Sequence, residues 1–120
     1  MSADLFGFEP TPKPRTNSKP ESAALAEVLK ALRSNSAVAW AHRQNTGAAK
    51  VGGRFVRFGW RGCSDILGML KDGRLLAVEV KAPKGRLRPE QAEFLYLVRR
   101  FGGVALVARN CRDVLDVLDG

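Results

Sequence analysis

Three charged side chains in the middle of the chain have the types and spacing of a centre that cleaves phosphodiesters. Glu79 and Lys81 are two positions apart in the apolar stretch 75–81, and Asp65 precedes them. Carboxylates are the hard oxygen ligands that Mg²⁺ or Mn²⁺ prefers. A bound metal polarises a phosphate and lowers the pKa of a water molecule, while the Lys81 ammonium can orient or deprotonate that water and offset charge in the transition state. These residues therefore predict metal-dependent hydrolysis of a phosphodiester.

The elements on which these residues lie are expected to bring them together. Side chains alternate along a strand, so Glu79 and Lys81 share one face of their strand while apolar residues occupy the other. The Asp-Gly pair in 71–74 is a strong hairpin signal and joins this strand to the preceding one, 65–70. Asp65 then lies opposite the end of the second strand. A Glu-x-Lys pattern alone is more often an exposed ion pair than a catalytic motif, so the prediction depends on the whole segment.

The remaining pattern predicts an α/β fold with a mixed sheet flanked by helices, in the order α-β-β-β-α-β-α. Ser18 and Glu21 form a capping box with Pro20 in the first turn of a helix that ends near Arg33. The other elements are expected over these ranges: strand 38–42, hairpin arm 43–58, strands 65–70 and 75–81, helix 89–101, strand 104–108 and helix 110–118.

Composition favours a basic protein that binds a polyanion. The net charge is +8 and the pI is near 10.2, so nucleic acid is the leading partner and an anionic membrane the second. Two cysteines are too few for a disulfide framework, and neither a membrane span nor a secretory signal is visible, so a cytoplasmic location is expected. Residues 1–20 contain four prolines and are interpreted as a disordered arm, followed by one domain over 21–120.

Several segments, in order along the chain, resemble the VRR-NUC domain. They are Arg43–Gly47, Arg57–Gly59, Gly62–Gly68, Leu76–Lys81, Gly85–Phe94 and Phe101–Ala105. The resemblance runs from about Glu21 to the C-terminus. It implies a restriction-endonuclease-like fold of the PD-(D/E)xK superfamily and a nuclease that acts on DNA. Small stand-alone members of this family occur in phages and bacteria, and larger relatives cut branched DNA such as flaps.

The resemblance also implies roles for individual residues. Asp65 and Glu79 correspond to the metal ligands, Val80 to a residue that offers its backbone carbonyl to the metal, and Lys81 to the catalytic lysine. Gln91 corresponds to the glutamine of the family that orients the lysine or a phosphate.

The acid that the family carries early in its first helix is less clearly matched. Glu21 is the natural counterpart, although it also has a structural role in the predicted capping box. Glu27 is the runner-up. The two cannot both point into one site, because six residues turn a helix by about 600°, which leaves the two side chains roughly 120° apart around its axis.

Other residues extend the prediction to the substrate. A phosphate-contacting rim is expected from polar and basic residues that flank the proposed site: Arg43, Asn45, Lys50, Arg54, Arg57, Arg61, Lys84, Arg86 and Arg88. Trp40, Trp60 and His42 are expected to be structural, with base stacking as the alternative for Trp60. Residues 2–6 faintly resemble a motif that docks on the bacterial sliding clamp.

The predicted function is a Mg²⁺- or Mn²⁺-dependent DNA endonuclease that selects branched structures such as flaps or four-way (Holliday) junctions. A homodimer would present two sites to two strands of a junction. Two alternatives stay open at this point, a non-catalytic DNA-binding module that keeps the fold and a nuclease that acts on RNA.

Overall fold

A mixed four-stranded sheet with helices on both faces forms the centre of the molecule. The computed structural model describes residues 15–44, 47–58 and 60–119. The elements in chain order are α1 (Arg15–Ser34), β1 (Val38–Arg43), β2 (Gly47–Val51), β3 (Arg54–Phe58), β4 (Ile66–Leu70), β5 (Leu75–Val80), α2 (Pro89–Arg100), β6 (Val104–Ala108) and α3 (Cys111–Leu118). The predicted α/β class and mixed sheet are confirmed.

The sheet has the strand order β1-β4-β5-β6. β4 pairs antiparallel with β1 and with β5, and β6 pairs parallel with β5 after the crossover through α2. The predicted β4–β5 hairpin is confirmed. Its turn is closed by Asp72, whose carboxylate accepts a hydrogen bond from the backbone N–H of Arg74 at 3.0 Å, and by Gly73 with a φ of 95°.

The hairpin arm forms its own two-stranded sheet, in which β2 pairs antiparallel with β3. It is inserted between β1 and β4, and the remaining elements follow the predicted order α-β-β-β-α-β-α. The prediction identified the hairpin arm over 43–58 as a whole but assigned no separate strand to residues 47–51. β2 contains the segment Gly47-Ala48-Ala49, which lacks the β-branched and aromatic residues that usually indicate a strand.

The two faces of the sheet bury different sets of side chains. α1 and α3 cover one face, where the core contains Val28, Leu32, Leu76, Val78, Val80 and Val114. α2 covers the β5–β6 half of the other face, where the core contains Ala77, Phe94, Leu95, Val98 and Ala105. The odd-numbered residues of β5 therefore face α2 and the even-numbered ones face α1 and α3, as the alternation in the sequence predicted.

The predicted start of the first helix is wrong. α1 begins at Arg15, so Ser18 lies inside the helix and is not its N-cap, and Pro20 falls in the second turn. A helix in a folded protein is stabilised mainly by packing of its apolar face, here from Ala24 onward, and this leaves the position of the first turn weakly specified. Residues 1–14 of the predicted arm lie outside the described residues. Within the part of the chain that the structure describes, no helix is long and apolar enough to cross a membrane.

Candidate active site

The register between β4 and β5 brings Asp65 next to Glu79. Ile66 pairs with Val78, so Asp65, one residue before β4, lies across from Glu79 near the end of β5. The backbone N–H of Val80 donates a hydrogen bond of 2.8 Å to Oδ2 of Asp65. One carboxylate oxygen of Asp65 is therefore anchored to the neighbouring strand.

The turn before Asp65 depends on a glycine that packs against α2. Gly62 has a φ of 86°, a conformation that strains any residue with a Cβ. A Cβ at this position would lie 2.5 Å from the backbone oxygen of Glu90, in the first turn of α2. Gly62 thus lets the N-terminal end of α2 approach the loop that leads into β4.

Two hydrogen bonds hold the rest of this turn. The backbone N–H of Cys63 donates to the carbonyl of Trp60 at 2.9 Å, and the buried hydroxyl of Ser64 donates to the carbonyl of Ile66 at 2.8 Å. Because both bonds are local, they fix the direction in which the chain enters β4. Asp65 is consequently held by its own loop as well as by β5.

Glu79 is the most constrained acidic group of the site. Only 2% of the surface of Glu79 is exposed to solvent. Oε2 accepts a hydrogen bond of 2.9 Å from the side-chain amide of Gln91 and lies 3.4 Å from the Lys81 ammonium nitrogen. Oε1 is buried and has no hydrogen-bond partner among the described residues. A buried oxygen without a partner is costly, so a ligand bound to this atom would offset the cost.

The local field at this end of the sheet is negative. Burial raises the pKa of the Glu79 carboxyl to about 8, the charge of Asp65 adds to the rise, and the Lys81 ammonium opposes it. Burial, followed by the charges of Glu79 and Asp65, also raises the pKa of the nearby Cys63 thiol. Near neutral pH and without a cation, Glu79 therefore keeps its proton, because Lys81 does not offset burial and the charge of Asp65.

Gln91 is oriented by a second hydrogen bond. Its Oε1 accepts from the backbone N–H of Arg88 at 2.9 Å, in the manner of a residue at N3 of a helix that caps its own first turn. The amide nitrogen is then free to donate to Glu79. The structure thus brings Gln91 into the site, where its contact is with Glu79.

The residues present fit a divalent cation, although they supply few protein ligands. Asp65 and Glu79 offer hard oxygen donors, and the unpartnered Oε1 of Glu79 is the atom that a cation would stabilise. Among the described residues no group of three or more His, Cys, Asp or Glu side chains is placed to hold a metal. Mg²⁺ commonly keeps several waters and takes only one or two protein carboxylates, which is consistent with such a site.

Comparison with known proteins identifies the family. The family model described as the VRR-NUC domain matches residues 4–110 of the 120-residue chain. The chain belongs to the VRR-NUC family. Its fold is of the PD-(D/E)xK nuclease type, and it is a nuclease domain that acts on DNA; domains of this type generally use divalent metal ions. No curated protein and no solved structure gives a significant match.

The structure separates the two candidate acids on the first helix of this VRR-NUC domain. Glu27 Oε2 accepts a hydrogen bond of 2.7 Å from the backbone N–H of Cys111, the first residue of α3. Glu27 therefore faces α3 and caps its N-terminal end together with Asn110. Glu21 is half-buried on α1. Among the described residues it does not form, with Asp65 and another acid, a cluster of three side chains placed to hold a metal.

The predicted basic rim of the VRR-NUC domain is exposed where the structure describes it. Exposed side chains belong to Arg43, Lys50, Arg54, Arg61, Lys84, Arg86 and Arg88. Arg43 is the last residue of β1 and pairs with Ile66, so it lies near Asp65 at the same end of the sheet. Asn45 lies outside the described residues, and Arg57 is described only as part of β3.

The sequence did not indicate Arg109 as a contributor to this region. Its guanidinium donates to the carbonyl of Gly85 at 2.8 Å and so ties the end of β6 to the loop that carries Lys84 and Arg86. The backbone N–H of Lys81 also donates to the carbonyl of Ala108 at 3.1 Å. No sequence pattern marks Arg109, since a basic residue after a buried strand is common.

The expectation that both tryptophans are structural core residues is wrong. Trp40 is 43% exposed and Trp60 is 62% exposed. Trp40 packs beside His42 with ring centroids 5.8 Å apart, and Trp60 packs edge-on against Phe94. Trp40 lies on β1, and Trp60 lies in the loop before β4, where it packs on α2.

Proposed function

We propose that this VRR-NUC protein is an endodeoxyribonuclease that requires Mg²⁺ or Mn²⁺ and cleaves branched DNA. The observation that carries the proposal is the buried Glu79 carboxyl, which has an unpartnered oxygen and lies beside Asp65 and Lys81 at one end of the sheet. In the metal-free protein an ionised Glu79 is costly at this position, because it is buried and Asp65 is charged beside it while Lys81 is its one ammonium partner among the described residues. A module that only binds DNA has no use for this cost, so the arrangement favours catalysis over the non-catalytic alternative.

The residues have distinct roles in the proposed reaction. Asp65 and Glu79 would hold the metal, with the Val80 carbonyl as a third ligand. When bound, the metal supplies a polarised phosphate and a water molecule of lowered pKa. Lys81 orients the attacking water and offsets the charge that develops on the phosphate. Gln91 holds Oε2 of Glu79, which leaves Oε1 for the metal.

The substrate part of the proposal comes from charge and exposure. The net charge of +8 and the exposed arginines and lysines around the site favour a polyanionic partner. We assign them to the DNA backbone, including flaps and four-way junctions, and propose a homodimer that addresses two strands. RNA is the alternative substrate, and the same basic rim would serve it. Glu21 is proposed as a further acid that assists the metal.

A panel assay with matched variants tests this function. Labelled duplex, single strand, flap, splayed arm, four-way junction and an RNA duplex are each incubated with Mg²⁺, Mn²⁺ or EDTA. Lys81→Met is expected to lower cleavage by roughly 10²-fold or more while DNA is still retarded in a gel. Lys30→Met, which removes an exposed lysine of α1 on the opposite face, is the control. Cleavage in EDTA, or equal cleavage by both variants, would show that the assignment is wrong.

Two further predictions concern location and partners. A cytoplasmic location in a bacterial or phage-infected cell is proposed from the sequence. The resemblance of residues 2–6 to a clamp-docking motif falls outside the described residues and stays a prediction. A peptide of residues 1–12 titrated with a bacterial sliding clamp tests it, and absence of binding at high peptide concentration would end the idea.

A further inference from the structure

An exposed aromatic ring lies on the same side of the sheet as the proposed active site. Trp60 is 62% exposed, yet its ring is held by Phe94 of α2, with centroids 4.9 Å apart and planes at 88°. Edge-to-face contacts of this kind fix the orientation of a ring. The indole therefore presents much of its surface to solvent from a supported position.

An apolar groove continues from this ring across the sheet. The groove has a volume of about 580 Å³ and is lined by side chains of β4, β5 and the C-terminal half of α2. Most of its lining is aliphatic or aromatic, including Leu67, Leu75, Leu97 and Phe101. Among the described residues that line it, Arg74 is the one with a charged side chain. A surface of this kind binds flat, apolar groups.

The groove and the proposed active site share two structural supports. The carbonyl of Trp60 closes the turn that leads into Asp65, through its hydrogen bond with Cys63. Phe94 is three residues after Gln91 on α2, so the helix places it about one turn from the amide that binds Glu79. The Trp60 end of the groove is therefore connected to the acids through the turn before Asp65 and the first turns of α2, whereas Arg74 and Leu75 at its other end lie at the β4–β5 turn.

We propose that this groove binds an unpaired nucleobase of the substrate strand, stacked on Trp60, next to the phosphate that is cleaved. The inference rests on the proposed nuclease function and names the feature of the substrate that the site selects. Bases present apolar π-faces joined by anionic phosphates. The groove is apolar, the exposed Arg61 follows Trp60 in the chain, and the Arg74 guanidinium, which is paired with Asp72 at 2.9 Å, lies at the other end of the groove.

The proposal has a consequence for substrate choice. In continuous duplex the faces of each base are covered by neighbouring base pairs, so an exposed indole cannot stack on them without unstacking the helix. Flaps, splayed arms and gaps supply unpaired bases at no such cost. The site is therefore expected to favour a branch with a single-stranded segment over a fully paired four-way junction.

Tryptophan fluorescence tests binding without requiring cleavage. The chain contains two tryptophans, so Trp40→Phe leaves Trp60 as the only indole. In EDTA, a single-stranded oligonucleotide is expected to quench its fluorescence to a saturable plateau. A blunt duplex and an oligonucleotide of abasic sugar phosphates should leave it nearly unchanged. Equal quenching by the abasic strand, or a signal that follows protein concentration alone as in self-association, would overturn the proposal.

Cleavage and affinity measurements then separate this inference from the proposed function. Trp60→Ala is expected to weaken binding of a single-stranded flank roughly 5- to 100-fold and to reduce the preference for flap over four-way junction. Trp60→Phe should restore most of both, because it keeps an aromatic ring. Tyr96→Ala removes an exposed aromatic residue of α2 that does not line the groove, and should change neither.

The outcomes distinguish the two claims. If the protein is an active nuclease and Trp60→Ala binds and discriminates as the parent does, the nucleobase site is wrong and the nuclease function stands. If single strands quench Trp60 but no substrate is cut with Mg²⁺ or Mn²⁺, the nuclease function fails and the nucleobase site stands.

Discussion

The Glu79 carboxyl couples the proposed chemistry to the stability of the fold. Burial and the charge of Asp65 raise its pKa to about 8, from the ordinary value of 4.5 that a glutamate has in the unfolded chain. Between these two pH values the folded protein keeps a proton that the unfolded chain has lost. The folded state then binds more protons, so the free energy of unfolding of the metal-free protein falls as pH rises.

This linkage predicts that Glu79→Gln stabilises the metal-free protein at alkaline pH. The amide keeps the size of the side chain and removes the buried charge, so we expect a gain of about 1–3 kcal/mol at pH 9 and a much smaller gain at pH 4. Denaturant unfolding in EDTA at several pH values measures the difference. Glu93→Gln, an exposed glutamate of α2, is the control. A gain that is independent of pH would contradict the buried ionisation of Glu79.

At the scale of elements, the approach of α2 to the loop before β4 holds the two halves of the site together. Gly62 makes this approach possible because it has no Cβ and adopts a positive φ. Gln91 at the start of α2 then reaches Glu79 on β5. A change at the glycine is therefore expected to disturb the site through the position of a helix.

We expect Gly62→Ala to cost more stability than Gly73→Ala. Both glycines have a positive φ, 86° and 95°, but a Cβ at Gly73 meets nothing within 4 Å. The backbone strain is shared, at about 1–3 kcal/mol, and the contact with Glu90 adds to it only at Gly62. Thermal unfolding and cleavage of the two variants measure this difference. Equal losses of stability would show that the contact with α2 is unimportant.

The contact between Glu27 and the N-terminal end of α3 gives a second prediction at the scale of elements. Glu27 accepts a hydrogen bond from Cys111, which lowers the pKa of the Glu27 carboxyl. Glu27→Ala is expected to lower the melting temperature without a change in cleavage at saturating Mg²⁺, because its contact is with α3. Glu21→Gln is expected to lower cleavage with little loss of stability. The reverse pattern would identify Glu27 as the metal-site acid.

For the whole molecule, the excess of positive charge is expected to control affinity for DNA. The exposed Lys50 and Arg54 lie on the β2–β3 hairpin. This hairpin connects the end of β1 to the start of β4, next to which Asp65 lies. The logarithm of the DNA-binding constant falls linearly with the logarithm of the salt concentration, and each phosphate contact that is lost reduces the magnitude of this slope by about 0.9 for duplex DNA. If Lys50 and Arg54 each contact one phosphate, loss of both is expected to reduce the magnitude of the slope by up to about 2.

The double variant Lys50→Ala/Arg54→Ala tests this expectation. Its binding to duplex in EDTA should be weaker than that of the parent, with a salt slope smaller by roughly 1–2. Lys30→Ala/Arg112→Ala removes the same charge from α1 and α3 and is expected to leave the slope nearly unchanged. If the two double variants lose slope equally, the charge acts as a diffuse field and the hairpin is not a specific contact.

Short-range patterns made the fold class and the central acids predictable. The alternation of apolar and charged residues in 75–81 and the Asp-Gly turn before it place Asp65, Glu79 and Lys81 together through one hairpin. Strand alternation and hairpin pairing depend on neighbours in the chain, so they can be inferred from the sequence without knowledge of the rest of the fold.

Contacts between distant segments were decided only by the tertiary structure. Glu27 binds Cys111 across 84 positions of the chain, and this contact assigns Glu27 to a helix end. The burial that leaves Oε1 of Glu79 without a partner and the packing of Trp60 on Phe94 also require α2 to lie on the sheet. Periodicity within a helix shows which residues share a face, but the neighbour of that face is set by how the helices and strands pack together.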